Sequence, residues 1–265
     1  FTRNRGKVLE LTEGLDTYSL TGRNGANIQA RVGERMGNIY GKGFSRVEDE
    51  NSEYFGQIIH NSTGTPLTGS ELKLQGNYNP DWMLGFQNNL SYKGLNLGFL
   101  FDFRYGGIVV SRTKTIGSTS GQLAETLYGR ETGYDLEGEG NGIISEGVVA
   151  NTDGSYSPNT YETTSRNWHN TYYNRDNVEA AKYDATFLKL REVTLGYTIP
   201  RSILGRLPFE DVKISLVGRN LALWTENPHF DPETLSMSGG TLIPGVEDMS
   251  FPSTRSMGFN INVKF

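Results

Sequence analysis

The stretch Met257-Gly-Phe-Asn-Ile-Asn-Val-Lys-Phe265 gives the clearest indication of the fold, because apolar and polar side chains alternate along it without a break. Successive side chains of a β-strand point to opposite faces, so this period of two predicts a strand with one apolar and one polar face. The apolar face carries Phe259, Ile261, Val263 and Phe265. The sequence therefore predicts a strand that separates an apolar environment from a polar one.

The same alternation recurs upstream, in stretches with aromatic residues towards their ends: Val212–Leu216, Val193–Ile199, Leu95–Tyr105 and Trp82–Tyr92. In the last of these, Asn88 interrupts an otherwise apolar face. The longest stretches match the ~9–11 residues that a transmembrane strand needs, whereas a strand of a soluble protein averages ~5–6. Aromatic residues near strand ends are typical of the two membrane–water interfaces.

The connections between these stretches alternate between short and long. Lys93-Gly94 and Pro200–Asp211 are short, whereas 106–185 and 217–256 are long. Outer-membrane barrels have short turns on one side and long external loops on the other, while compact soluble domains seldom contain long irregular loops. The predicted fold is therefore all-β: a transmembrane antiparallel β-barrel segment that spans residues 1–265, with 106–185 and 217–256 as external loops.

The composition excludes several classes of protein. With no cysteine there is no disulfide framework, thiolate metal site or cysteine nucleophile, and three histidines spread along the chain do not indicate a histidine metal centre. A net charge of −5 argues against binding to nucleic acid. No apolar run is long enough for a transmembrane helix, and Phe1–Arg5 does not introduce a signal peptide. Since no catalytic constellation stands out either, we do not expect an enzyme.

Several motifs resemble those of one family, the SusC/RagA-type TonB-linked outer-membrane proteins. The stretch ATFLKLREVTLGYTIP at Ala185–Pro200 resembles a signature near the C-terminus of that family. Four other segments resemble further family motifs in the expected order: Asn79–Gly94, Gly218–Thr225, Phe230–Glu233 and Phe251–Phe265. The resemblance is close over 74–265 and loose over 1–56.

The resemblance implies a 22-stranded barrel that encloses an N-terminal plug. The chain would form the C-terminal third of this barrel, without the plug, the N-terminus or the segment that contacts TonB. Family members lie in the outer membrane of Bacteroidetes-type bacteria, where they import glycans or peptides. The partners implied are a SusD-like surface lipoprotein, the TonB complex, outer-membrane lipid and the barrel assembly machinery. For that machinery, Phe259, Ile261, Val263 and Phe265 would form the assembly signal.

Two other functions remain open at this stage. A SusC-like barrel could serve as an assembly scaffold rather than as a transporter, and only the identity of its partners would separate these roles. The chain could also be a secreted all-β carbohydrate-binding module. Dependence on detergent for solubility would favour the barrel over the secreted module.

Asp102 and Arg104 are candidates for substrate binding, because they share the polar face of Leu95–Tyr105 and would point into the barrel. They could hydrogen-bond a polar substrate or the plug, or they could simply be solvated or paired residues of the wall.

Trp168, Tyr172 and Tyr173 cluster in the long loop, next to His169. Aromatic rings stack on sugars and anchor protein interfaces. The cluster could therefore contact the substrate or the lipoprotein, or it could pack within its own loop.

A calcium site is a further candidate, because Asp135, Glu137, Glu139 and Glu146 fall at positions 1, 3, 5 and 12 of an EF-hand-like loop. Glutamate at positions 3 and 5 and the absence of clear flanking helices favour an acidic external loop instead. We expect no other cofactor.

Overall fold

The computed structural model of the chain describes residues 1–130, 142–205, 207–227, 230–233, 236–238 and 240–265. In chain order, the strands are β1 (Thr17–Arg23), β2 (Ala26–Arg31), β3 (Asn38–Gly41), β4 (Ile59–His60), β5 (Lys73–Asn77), β6 (Trp82–Tyr92), β7 (Leu95–Tyr105), β8 (Ile108–Ser111), β9 (Ile143–Ile144), β10 (Val148–Ala150), β11 (Tyr156–Pro158), β12 (Glu162–Thr163), β13 (Lys182–Asp184), β14 (Phe187–Ile199), β15 (Asp211–Thr225), β16 (Ser236–Ser238), β17 (Thr241–Ile243), β18 (Val246–Glu247) and β19 (Ser256–Lys264). The α-helices are α1 (Arg112–Thr119), α2 (Ser165–Tyr172) and α3 (Arg201–Leu204), and single 3-10 turns lie at Ala124–Leu127 and Glu179–Ala181.

The largest element is an antiparallel sheet in the order β6-β7-β14-β15-β19, which we call the wall. It contains all five stretches in which the sequence alternates, so the predicted all-β class is confirmed. The wall is open: over the residues that the structure describes, it does not close into a barrel. No helix of the described residues is both long and apolar enough to cross a membrane.

The two faces of the wall have opposite chemistry. In the register of β7 and β14, Phe99 lies beside Val193 on one face, while Gly98 lies beside Thr194 on the other. We call the first the outer face and the second the inner face. The outer face carries exposed apolar side chains on every strand, including Phe86, Leu90, Leu95, Leu195, Ile214, Leu216, Phe259 and Ile261. Alternation in the sequence thus becomes an apolar sheet surface that no other part of the described chain covers.

The bulge at Arg191 shifts the alternation of β14. Leu190 pairs with Phe101 and Glu192 pairs with Leu100, so Arg191 has no opposite residue on β7. An extra residue in one strand of a pair bends that strand and locally disrupts the ladder. The bulge is the reason why the period of two read from Val193 does not continue upstream.

The long loop begins later than the sequence predicted. β15 continues to Thr225, whereas the alternation indicated that the strand ends at Leu216 and that the loop starts at 217. The bulge in β14 is matched here, because Leu190 pairs with Ala222 and Glu192 with Arg219. Asn220 in the gap has a φ of 51°, in the left-handed region that asparagine tolerates well. The irregular segment breaks the sequence pattern but not the strand.

The end of the wall with the short connections, which we call the turn end, has the tight turn that was predicted. Lys93 (φ 47°) and Gly94 (φ 85°) join β6 to β7, with both turn residues in the left-handed region that two-residue hairpins prefer. The other short connection, between β14 and β15, contains α3.

The opposite end, the loop end, carries a layer built from three long segments: 3–81, 106–186 and 226–255. The first of these has its own antiparallel sheet, β1-β2-β3-β5. The parallel pair β8–β18 joins the second segment to the third. One apolar core unites all three segments, formed by Ala26, Ile28, Ile39, Val110, Val178, Ile243 and Val246. The loops therefore fold together as one layer.

Candidate functional site at the loop end of the wall

A group of charged side chains lies on the inner face near the bulge. Nζ of Lys189 is 2.7 Å from Oδ1 and 2.8 Å from Oδ2 of Asp231, and it also contacts the carboxylate of Glu233. The side chains of Lys189 and Asp231 are only 2% and 3% exposed. Burying a charge is costly unless it is paired, so each of these two ions requires the other.

Arg191 extends this group across the sheet. Its guanidinium donates to Oδ2 of Asp102 on β7 at 2.7 Å and to Oε2 of Glu233 at 2.7 Å. The side chain reaches both carboxylates because the bulge places Arg191 on the inner face together with its neighbour Glu192. We call Asp102, Lys189, Arg191, Asp231 and Glu233 the ion cluster.

The ion cluster attaches the third loop segment to the wall. Asp231 also accepts hydrogen bonds from the backbone N–H and hydroxyl of Ser253, at 3.3 and 2.5 Å, so both ends of that segment converge on one carboxylate. Burial alone would raise the pKa of Asp231, but the hydrogen bonds from Lys189 and Ser253 outweigh it and hold the pKa below its ordinary value. At Glu233, burial also acts to raise the pKa, but hydrogen bonds from Arg191 and Lys189 outweigh it and lower the pKa. Both carboxylates are therefore ionised at neutral pH.

A pocket of about 590 Å³ lies beside the ion cluster, between the inner face and the third loop segment. Lys189 and Asp231 form its charged floor, while Leu223 and Phe230 supply apolar surface and Arg255 lies exposed in its lining. Its size is within the range of small-ligand sites. Its mixture of charged and apolar groups suits a ligand that itself has charged and apolar parts.

The structure separates the two candidates on β7. Asp102 belongs to the ion cluster, whereas Nη2 of Arg104 donates to the backbone carbonyl of Tyr78 at 2.5 Å. Arg104 thus holds the end of the first loop segment. Both lie on the inner face, as their spacing predicted, but they do not form a pair with each other.

The aromatic candidates come together on and just after α2. Trp168 stacks on Tyr172 with ring centroids 4.5 Å apart, and Tyr172 lies 4.8 Å from Tyr173. Phe44 of the first loop segment packs on Tyr172 at 4.7 Å, and Nζ of Lys114 lies 4.8 Å above the ring of Tyr173. Every ring of the group therefore has a partner inside the loop layer.

His169 is buried within this aromatic group. Burial, together with the charges of Lys114 and Arg130, lowers its pKa to about 4. Neither ring nitrogen has a hydrogen-bond partner among the described residues. The imidazole is therefore neutral at physiological pH, and it packs against the rings of Trp168 and Tyr173.

Three of the four calcium candidates, Asp135, Glu137 and Glu139, lie outside the described residues. Glu146 is described, in the connection between β9 and β10. Within the described part of the chain, no group of three or more histidine, aspartate or glutamate side chains is arranged to hold a metal ion.

The candidate assembly residues divide into two environments. Phe259, Ile261 and Val263 lie on the outer face of β19, opposite Leu216, Ile214 and Val212 of β15. Phe265 follows the strand, and its ring packs against Phe209 with a centroid distance of 5.3 Å.

The ion cluster contains four residues that were not predicted as site residues: Lys189, Arg191, Asp231 and Glu233. A signal for them was present, because Lys189 and Arg191 lie within Ala185–Pro200, while Asp231 and Glu233 lie within Phe230–Glu233. Opposite charges in the two motifs make a contact between them possible. Only the fold shows that the motifs meet.

The curated proteins that resemble the chain in sequence are named as TonB-dependent receptors. The chain is 24% identical, over its whole length, to TonB-dependent receptor P3 of Formosa agariphila, and 26% identical, over 84% of its length, to TonB-dependent receptor P26 of the same organism. It covers 26% and 20% of these two proteins, so it spans about a quarter or less of each relative. No protein-family model matches the chain.

Solved structures give the same fold. The chain superimposes on the RagAB peptide transporter with a TM-score of 0.60 at 18% identity, covering 99% of this chain and 26% of that one. The RagAB peptide importer in the "closed-closed" state gives a TM-score of 0.59. The motifs, the curated relatives and the fold thus agree: over about a quarter of their length, the chain is similar to TonB-dependent transporters of the SusC/RagA type.

Proposed function

We propose that this chain is part of the barrel of a TonB-dependent outer-membrane transporter that imports glycans or oligopeptides. One observation carries the proposal: the wall has an apolar outer face and a polar, charged inner face along its whole width, in a chain with the RagAB fold. This arrangement suits a sheet with lipid on one side and a hydrated passage on the other. The relatives named as receptors and the solved peptide transporter support an uptake role.

In this proposal the ion cluster and its pocket face the passage. The third loop segment, which Asp231 attaches to Lys189, would border the path of the substrate. A pocket with charged and apolar surface would accept an oligopeptide more readily than a neutral sugar, because termini and side chains of peptides offer both kinds of group.

We also propose a SusD-like lipoprotein as the partner of the loop layer. Strand β1 lies at the edge of the loop sheet and exposes Tyr18 and Leu20, and Leu9 nearby is 80% exposed. Exposed apolar side chains at a sheet edge are typical of protein contacts.

The orientation of the wall can be tested with epitope tags at two exposed glycines. Gly154 lies in the loop layer and Gly205 at the turn end, and both are exposed with open space around them, so a tag inserted next to either glycine, which is itself kept, meets no packed neighbour. In the full-length protein, the tag at Gly154 should bind antibody on intact cells and the tag at Gly205 only after lysis. The reverse result would contradict the proposed topology.

Transport itself is tested by uptake in cells that lack the full-length protein. Labelled oligopeptides or glycans should enter when the wild-type protein is restored, and uptake should cease without TonB. A strain that assembles the barrel at wild-type levels but shows no TonB-dependent uptake of either class would favour a scaffold role.

A further inference from the structure

The loop layer contains a further cavity, with a volume of about 370 Å³. One side of it is formed by β4 and the turn that follows, and the other by β10, β11 and the residues directly after β11. No described residue lines both this cavity and the pocket beside the ion cluster. Its size lies near the lower end of the ~300–1,000 Å³ that is usual for small-molecule sites. We call it the loop cavity.

The lining of the loop cavity is polar but carries no charge. Among the described residues that line it there is no aspartate, glutamate, lysine or arginine, and the polar side chains are those of Asn61, Ser62, Asn151, Ser157 and Thr160. His60 is neutral at neutral pH, because burial lowers its pKa. Amide and hydroxyl groups both donate and accept hydrogen bonds, as the hydroxyls of a sugar do. A charged ligand would lose its water here without gaining an opposite charge.

The polar groups of the loop cavity are held in fixed orientations. Oδ1 of Asn61 accepts hydrogen bonds from the backbone N–H and the hydroxyl of Thr63, at 3.0 and 2.8 Å, and from the backbone N–H of Thr65 at 3.1 Å. The Nδ2 end of this amide is thereby left for a ligand. On the other side, the hydroxyl of Ser157 donates to Oδ1 of Asn151 at 3.2 Å. Groups that are already oriented lose less conformational entropy when a ligand binds.

Tyr161 adds an aromatic surface to the loop cavity, and it is 47% exposed. Its backbone N–H donates to Oδ1 of Asn159 at 3.1 Å, and Nδ2 of that buried asparagine donates to the carbonyl of Ser145 at 2.9 Å. Gly64 packs so closely against the carbonyl of Tyr161 that a side chain at Gly64 would collide with it. The backbone of Tyr161 is therefore held from two sides while its ring stays accessible. An accessible aromatic ring offers an apolar face on which the C–H face of a sugar can stack.

We propose that the loop cavity binds one neutral sugar residue of a glycan outside the cell. The sugar ring packs on Tyr161, and its hydroxyls form hydrogen bonds with Asn61, Asn151 and Ser157. The external position of the site rests on the proposed function, in which the loop layer faces the outside. The site is separate from the charged pocket beside the ion cluster, so the chain has two cavities of different chemistry.

The test is saturation-transfer NMR on the full-length protein in micelles of lauryldimethylamine oxide, a detergent without a sugar headgroup. The probes are neutral tetrasaccharides of glucose, galactose or mannose, with tetragalacturonate and tetraalanine as charged comparisons. At least one neutral tetrasaccharide should bind, and both charged probes should bind at least tenfold more weakly. Polysaccharide released from the cell's own outer membrane is a further probe. Binding of that polysaccharide alone would support a neutral-sugar site and identify the cell surface as the source of the ligand.

Variants at two exposed tyrosines of the loop layer assign the binding to the loop cavity. Tyr161→Ala removes the aromatic surface and should weaken binding about tenfold, whereas Tyr161→Phe keeps the ring and should retain most of it. Tyr128→Ala is the matched control, because Tyr128 is also exposed but does not line the cavity. Its affinity should equal that of the wild-type protein.

The proposal is overturned if a folded, heat-modifiable protein binds no neutral saccharide, binds the charged probes as tightly, or binds equally well in the Tyr161→Ala variant. Failure of the barrel gives a different result, because the wild-type protein would then show no heat-modifiable migration. The two proposals therefore fail in distinguishable ways.

Discussion

Lys189 and Asp231, separated by 42 residues in the chain, form an ion pair with both side chains almost fully buried. One partner belongs to strand β14 and the other to the loop that follows β15. Each lies in a stretch that resembles a motif of the SusC/RagA type. The contact gives these motifs a physical role, because it attaches the third loop segment to the inner face at the level of the bulge.

Breaking this ion pair should destabilise the protein strongly. Lys189→Met leaves the carboxylate of Asp231 buried without its main cation, and loss of one partner of a buried pair costs about 3–5 kcal/mol. Lys189→Met combined with Asp231→Leu should recover part of that loss. The heat-modifiability midpoint of the full-length barrel measures both effects. The exposed pair Lys264–Glu210 is the control, since exposed ion pairs contribute about 0–1 kcal/mol. Similar losses at the two sites would contradict the role of burial.

The two faces of the wall should respond differently to charge. Phe99→Arg places a guanidinium on the outer face and should cost about 2–4 kcal/mol near the membrane midplane. Thr194→Arg and Asn96→Arg place the same group on the inner face and should be tolerated, because that side faces the hydrated passage of the proposed barrel. Folded yield in detergent is the measurement. Equal tolerance on both faces would count against a membrane wall.

Asn88 should be a site where an apolar substitution stabilises the wall. It lies on the outer face of β6, opposite Phe99, and its buried Oδ1 has no hydrogen-bond partner among the described residues. Asn88→Leu should stabilise the folded barrel by roughly 1–3 kcal/mol, the usual cost of an unpaired buried polar group. Urea titration in lipid vesicles would show the change. Asn89→Leu, on the inner face, should give no such gain.

The region around α2 should lose stability in acid. The pKa of His169 is lowered to about 4 in the folded protein, whereas the ordinary pKa of a histidine is about 6.5. Between these two pH values the unfolded state therefore binds a proton that the folded state does not bind. The neutral His169 therefore makes its full contribution to the free energy of unfolding above about pH 6.5. As the pH falls towards 4, that free energy decreases by at most about 1.4 kcal/mol per pH unit. Protection factors of the α2 amides, which correct for the intrinsic exchange rate at each pH, should fall over this range. In His169→Leu that fall should disappear, and its persistence would assign the effect to another group.

Phe265 should matter more to assembly than its neighbour Lys264. We propose Phe259, Ile261, Val263 and Phe265 as an assembly signal, and the contact of Phe265 with Phe209 also attaches β19 to the connection before β15. In the full-length protein, Phe265→Ala should lower the amount of heat-modifiable barrel in the outer membrane well below the level in Lys264→Ala. Wild-type levels in both variants would remove this support for an assembly signal.

The strands of the wall could be predicted from the sequence, because alternation with a period of two needs no tertiary context. It identified the five strands, the Lys93-Gly94 turn and the shared face of Phe99, Phe101 and Leu195. The alternation did not predict the parts of β14 and β15 that lie beyond the shift in period, at Arg191 and around Asn220. A bulge inserts a residue without an opposite partner, and a pattern of alternation alone cannot distinguish it from the end of a strand.

The arrangement of the loops and of the ion cluster could not be predicted from the sequence and became visible only in the fold. The loop core joins Ile28, Val110 and Val246 from three separate segments, and none of these segments has an apolar pattern long enough to indicate its partners. The ion cluster likewise depends on contacts between distant parts of the chain. Charged residues in two motifs show what could pair, but the geometry of the bulge decides that Arg191 reaches Asp102 and Glu233. Local periodicity can be read directly from the sequence. Contacts between residues of distant segments depend on where the folded sheet places its strands and loops.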